Sequence, residues 1–169
     1  MIERLTDGAP IQIRPIRPDD KGLLESGLRY LSETSVQRRF LAPKRSFSRA
    51  ELRYLTEVDG RDHVALVVES PNDQVRRVIA VARFVRDRQD PQSAEMAIVV
   101  ADDWQRRGLG TILAERLADQ ARASGITRFT ATMGSDNLPA RRLMRRISRG
   151  LEQRHTGYGV SDVVMDLAA

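Results

Sequence analysis

The sequence predicts an α/β fold built on one mixed β-sheet of about six to seven strands. Three observations lead there. Short apolar runs of strand length recur between turn signals, and capped amphipathic segments fall among them. One apolar run, Ser93–Val100, passes through a polar loop with a Gly-x-Gly spacing directly into a long helical pattern. The 169 residues, 41% hydrophobic and 30% charged, read as a single domain over 1–169, long enough to bury ~70% of its unfolded surface.

Taken in order, Ile11–Arg17 alternates isoleucine with polar residues apart from Pro15, which reads as an edge strand. Pro18-Asp19-Asp20 then starts a helix over about Lys21–Leu31. Ser35 can cap a short helix through Phe40. Ser48 and Glu51 have capping-box spacing ahead of a helix with Leu52, Leu55 and Val58 on one side. His63–Glu69 and Val75–Arg86 are strands joined by a hairpin loop, Ser70–Gln74, and Ser93–Val100 is the next strand. Leu109–Ser124 gathers Ile112, Leu113, Leu117, Ala118 and Ala121 on one face, and Gly125 ends it. Arg128–Met133 is a further strand. Asp136 or Asn137 caps a helix through about Ser148, with Ala140, Leu143, Met144 and Ile147 as its apolar stripe. Leu151–His155 and Val160–Leu167 finish the sheet.

Composition removes several function classes. No window approaches ~18 uninterrupted apolar residues, so no membrane-spanning helix and no membrane partner are expected. The N-terminal Met-Ile-Glu-Arg-Leu-Thr-Asp lacks the apolar core of a signal peptide, and a cytoplasmic protein is expected. With no cysteine there is no disulfide, thiolate metal site or cysteine acyl-enzyme. The net charge of +5 comes almost wholly from arginine, Lys21 and Lys44 being the only lysines. Acidic residues are interspersed throughout, so nucleic acid is not the expected partner. His63 and His155 stand far apart without carboxylate or cysteine company in ligand spacing. They read as structural, and no metal site is expected.

The stretch Glu95–Thr111 carries the chemistry. A strand with one carboxylate, Glu95, enters a loop ending Gln105-Arg106-Arg107-Gly108-Leu109-Gly110-Thr111, which opens into the long helix. A helix N-terminus presents unpaired N–H groups and the positive end of a dipole, suited to phosphate. Gly108 and Gly110 remove Cβ atoms that would hold a pyrophosphate away from the backbone. No lysine follows Gly110, so this is not a P-loop. Leu113 occupies the third-glycine position of a dinucleotide fingerprint.

What remains, Gln/Arg-x-x-Gly-x-Gly after a strand and with Asn137 downstream, resembles the coenzyme A loop of the GNAT acetyltransferase superfamily. The order of elements resembles the GNAT layout over nearly the whole chain. That implies an α/β (α+β) fold, mostly antiparallel, with helices on both faces and a splayed coenzyme A cleft. A narrower resemblance, to the GNAT domain of Pat-type bacterial protein lysine acetyltransferases, rests on three segments. They are Ser35-Val-Gln-Arg-Arg-Phe40, Leu55-Thr-Glu-Val-Asp-Gly-Arg-Asp-His63-Val-Ala-Leu66 and Ala94-Glu95-Met-Ala.

The resemblance implies an acetyl-CoA-dependent N-acetyltransferase working by direct attack in a ternary complex. An amine of pKa ~10.4 costs ~4 kcal/mol to deprotonate at neutral pH, and Glu95 is the implied base. Burial in an apolar strand would raise its pKa into a useful range. In such folds this strand splays at a bulge, so backbone N–H groups of Ile98, Val99 and Val100 would meet the acetyl oxygen and pantetheine amides. Gln105, Arg106, Arg107, Gly108, Leu109, Gly110 and Thr111 would wrap the pyrophosphate. Asn137 would meet the pantetheine arm or act as an N-cap, or both. Of the arginines along the last helix, Arg142 or Arg145 would reach the 3′-phosphate. Many relatives place a tyrosine where Met144 stands, which leaves the acid role to Tyr158, to water or to no group. The implied acceptor is a protein lysine, such as one on an acyl-CoA synthetase. A small-molecule amine, a protein N-terminus and a non-catalytic acyl-CoA-binding module are the alternatives. Monomer and homodimer are both compatible.

Overall fold

A computed structural model describes residues 2–73 and 75–167. Eight strands form one sheet in the order β1-β2-β3-β4-β5-β6-β8-β7, antiparallel except where β5 meets β6. β1 (Ile2–Arg4), β2 (Pro10–Pro15), β3 (His63–Glu69), β4 (Val78–Arg86) and β5 (Ser93–Val100) make one half, and β6 (Arg128–Gly134), β7 (Ser148–Gly157) and β8 (Val160–Leu167) the other. The helices are α1 (Lys21–Arg29), α2 (Glu33–Phe40), α3 (Arg49–Thr56), α4 (Leu109–Ala123) and α5 (Leu138–Ile147).

The extra strand beyond the expected count is β1, whose three residues are too few to show a period of two. It moves β2 off the edge. Leu5 and Gly8 close a tight turn, with the Leu5 N–H donating to Ala9 O at 2.9 Å, and β1 pairs with residues 10–12 only. Pro15 therefore ends its strand beyond the reach of β1, where a missing N–H costs nothing.

α2 starts earlier than expected. Ser32, not Ser35, is its N-cap, accepting the Ser35 N–H at 3.2 Å. Ser35 is buried and turns its hydroxyl to Asp102 Oδ1 at 2.9 Å. The Ser48–Glu51 capping box is present in both directions. β4 begins at Val78 rather than Val75, because Arg76 pairs with Glu69, and Arg77 with Asp73 and Asp103. Gln74, placed in the expected hairpin loop, lies outside the described residues. α1 ends at Arg29, and the observed β7 is longer than Leu151–His155.

Two cores hold the layers. α4 drops Leu113, Leu117 and Ala121, all fully buried, onto one face with Phe84, Phe129 and Met165. Each such leucine contributes roughly 1.5–3 kcal/mol. α1 and α3 cover the opposite face through Leu24 and Leu52 against Ala65 and Val67. Helices thus lie on both sides, as the element order predicts.

Candidate active site

β5 pairs with β4 along residues 94–100 without a register shift, yet with β6 only at Ser93, Ala94 and Glu95. β6 meanwhile stays paired with β8 throughout its length. From Met96 onward the two central strands part, and a wedge opens between the halves of the sheet. No bulge creates it: the expected irregularity is absent from the β4–β5 ladder.

That unbroken register fixes which backbone groups face the wedge. The Asp87 N–H donates to Ser93 O at 2.9 Å and the Ala101 N–H to Ile79 O at 2.8 Å. Odd-numbered positions of β5 therefore turn their amides to β4, and even-numbered ones turn away from it. Met96, Ile98 and Val100 present N–H and C=O to the opening, whereas the amide of Val99 belongs to the β4 ladder. The Val100 carbonyl accepts from Gln105 Nε2 at 3.0 Å.

The loop beyond β5 turns a row of backbone N–H groups outward. Trp104 is buried beneath it, with the Arg107 guanidinium 4.3 Å over its ring and Arg107 Nε 2.5 Å from Asp7 Oδ2. Arg106 and Gly108 both adopt positive φ, 60° and 86°. Alternating backbone hand of this kind turns successive N–H groups to one side. Among the described residues, none of the backbone N–H groups of residues 106–110 donates to the protein; Thr111 and Ile112 return to Gly108 O. No acidic residue sits in the first turn of α4. At φ 86° a side chain would strain the backbone, which accounts for glycine at 108. Nothing in the fold requires it at 110, where a Cβ would stand 3.7 Å from Leu143 Cδ2, an ordinary contact. The space a missing Cβ leaves there is free for a ligand.

Side chains tie this loop to α2. Asp102 accepts from the Ser32 N–H at 2.9 Å, from Ser32 Oγ at 2.6 Å and from Ser35 Oγ. Gln105 Nε2 donates to Ser35 Oγ at 3.0 Å. No sequence signal announced this clamp, whose partners lie about 70 positions apart.

Asn137 is buried and caps α5, its Oδ1 accepting the Ala140 N–H at 3.3 Å. Its side-chain amide donates to no described residue, so the cap leaves that group free. Leu143, against Gly110, brings α5 beside the loop. Arg142, next to Leu143, is exposed, as is Arg145. Met144 is buried in the core. Tyr158 stands fully exposed at the β7–β8 turn.

Glu95 occupies the last β5–β6 pair, opposite Thr130, at the apex of the wedge. It is exposed rather than buried as expected: its strand neighbours are covered, but the parting of the strands leaves this side chain at the rim. On the same face stand two arginines without any assigned role in the sequence reading. Arg83 is 6% exposed, donates to Leu55 O at 3.1 Å and lies 3.1 Å from His63 Nε2. Burial, with the charge of Arg39 nearby, pushes Arg83 down to about 10. Burial also lowers Arg39, while the charge of Glu95 acts in the opposite sense. His63 stacks on Tyr54 at 4.9 Å, and burial followed by Arg83 lowers its pKa. An arginine inside the apolar run Val78–Val85 was the signal that could have marked this cluster. His155 packs on Ser161 at the far side, and no metal-binding group occurs among the described residues.

The model of the Acetyltransferase (GNAT) family matches residues 31–148. The acetyltransferase Pat of Mycolicibacterium smegmatis is 34% identical over 151 residues, covering 89% of this chain and 44% of its own length. The chain therefore spans less than half of that relative. Acetyltransferase PA5475 of Pseudomonas aeruginosa is 31% identical, covering 84% of this chain and 76% of its own. Among solved structures, the GNAT domain of S. lividans PAT superposes with a TM-score of 0.84 at 29% identity, covering 99% of this chain and 96% of that one.

Proposed function

The chain belongs to the Acetyltransferase (GNAT) family, and from that membership we propose that it moves the acetyl group of acetyl-CoA to a primary amine. The observation that carries the reading is the row of unpartnered N–H groups at 106–110, placed at the end of the strand whose wedge begins at Glu95. Those donors and the α4 dipole suit a diphosphate. Gly110 admits it to the backbone, and the free amide of Asn137 and the exposed Arg142 supply further polar contacts along the donor. Arg107 contributes its N–H, its side chain being held by Asp7.

Bound acetyl-CoA supplies an activated acyl carbon. The chain supplies a donor at Ile98, whose N–H faces the wedge and suits an oxygen gaining negative charge. Glu95 takes the proton from the amine, directly or through water, as that amine attacks in a ternary complex. Its exposure at the rim leaves it open to an incoming acceptor. Since a thiolate is a tolerable leaving group, no dedicated acid is needed where Met144 stands. The favoured acceptor is a protein lysine, such as one on an acyl-CoA synthetase. It is supported by the Pat-type segments at 35–40, 55–66 and 94–97 and by the similarity to acetyltransferase Pat.

A thiol-release assay with acetyl-CoA against a panel of amines and proteins tests this reading. Glu95→Gln is expected to lower turnover ~100- to 10,000-fold while calorimetric affinity for acetyl-CoA stays within about twofold. Undiminished turnover would remove Glu95 from the mechanism, and absence of any acetyl-CoA binding would sink the donor site. A module that only senses the coenzyme would bind it and never release thiol.

A further inference from the structure

The face of the sheet opposite α4 carries a cavity with walls from Leu28, Phe40, Phe47, Leu55, Val81 and Val99. Two guanidinium groups interrupt that apolar lining: Arg39, from the last turn of α2, and Arg83, from the middle of β4. Among the described residues neither forms an ion pair, although Arg83 is nine-tenths buried. A buried cation without a counter-ion is costly to hold, so its retention needs a reason outside the fold.

Its position supplies one. Arg83 stands opposite Ala97, two residues along the same face of β5 from Glu95, a separation of roughly 7 Å between backbone positions. α2 lies against both β5 and β6, and Arg39 from its last turn lines the same cavity as Arg83, Ala97 and Val99. Arg39 feels the charge of Glu95, and Arg83 that of Arg39. Two cations against one carboxylate leave an uncompensated positive charge beside the point where the amine would be deprotonated. A planar guanidinium matches a carboxylate in shape as well as charge.

We propose that Arg39 and Arg83 form an anion subsite for a carboxylate carried by the acceptor close to its nucleophilic nitrogen. This deepens the acetyl-transfer reading above and rests on it. A free amino acid and an acidic residue flanking a lysine offer the same chemistry, and paired acceptors separate them: glycine against glycinamide, and a lysine peptide with an adjacent glutamate against its glutamine counterpart. The carboxylate member of one pair is expected to be favoured at least tenfold in kcat/KM. Arg39→Gln and Arg83→Gln should each bring that ratio towards one through KM, with acetyl-CoA affinity unchanged.

A second measurement needs no turnover. Glutarate, titrated into the acetyl-CoA-saturated protein, should bind at least tenfold more weakly to either arginine variant. Glu95→Gln should bind it as well as the parent or better, since a repelling carboxylate is gone. Equal use of both members of each pair would overturn the subsite, as would a preference or a glutarate affinity that survives both arginine changes. Should Arg83→Gln fail to fold, Arg39→Gln, at the half-buried position, decides. Full turnover by Glu95→Gln would remove the base assignment and leave the glutarate result standing.

Discussion

Arg14 and Arg83 leave the same face of the same sheet, yet the fold treats them in opposite ways. Arg14 on β2 aligns with Val67, and Arg83 on β4 with Ala65, two residues away on β3. Arg14 grips Asp20 with two bonds of 2.7 Å and reaches Glu69 at 2.7 Å. Its pKa is raised, chiefly by the hydrogen bond to Asp20, whereas that of Arg83 is pushed down by burial. The first arginine is neutralised by the chain itself and locks residues 18–20, ahead of α1, to the sheet. The second has only a carbonyl and an imidazole. The difference separates a cation used as architecture from one kept ready for something else.

The contrast can be broken first at Arg14. Arg14→Met strands the buried Asp20 carboxylate and leaves Glu69 with Arg76 alone, and is expected to cost about 3–5 kcal/mol of stability. Arg83→Met removes a charge with no counter-ion and should cost about 1 kcal/mol or less. Urea denaturation of both variants decides, and equal losses would erase the distinction.

Acid sharpens the same comparison. For Asp20, burial opposes ionisation, but Arg14 and the Arg17 N–H outweigh it; for Glu69, burial is likewise outweighed by Arg76 and Arg14. Both carboxyls end below their ordinary values of 3.8 and 4.5. Their folded pKa values lie beneath the unfolded ones, so the stability they give is present above those values and is lost as pH falls through the folded ones. Stability against pH should therefore drop below about pH 4, less steeply in Asp20→Asn. In the Arg83 cluster the acid limb belongs to His63 and begins at higher pH: its folded pKa lies below the ordinary 6.5, so stability is lost as pH falls through 6.5 towards the folded value.

The smallest effect is expected at the loop. Gly110→Ala places a good helix former in the first turn of α4 without a clash, and should raise stability by about 0.5 kcal/mol. It should also weaken acetyl-CoA binding, by at least tenfold in calorimetry. Weaker binding with unchanged or higher stability marks glycine as serving the ligand; unaltered binding would return it to the helix.

Much of this was legible from local pattern. The bounds of β3 and β5 follow from their apolar runs, with Asp59 accepting three N–H groups, including that of His63, to fix where β3 begins. The Gly108–Gly110 spacing marked the loop, and Asn137 the cap of α5. What stayed hidden is non-local. β1 is too short to be periodic, and Ser35 shows its spacing but not its distant partner Asp102. Glu95 looked buried because neighbours in sequence do not reveal that the adjoining strand departs. Arg39 and Arg83 become a pair only when α2 lies across β5.

The clamp in which Asp102 holds Ser32 and Ser35 while Gln105 donates to Ser35 makes the two ends of the site mechanically continuous. Whatever stiffens the loop also steadies α2, and α2 bears Arg39. A second ligand then meets a wall whose freedom has already been reduced, and by reciprocity the first is held more tightly in return. Initial-rate patterns should show synergy between the two substrates, and Asp102→Ala should uncouple them while each still binds alone.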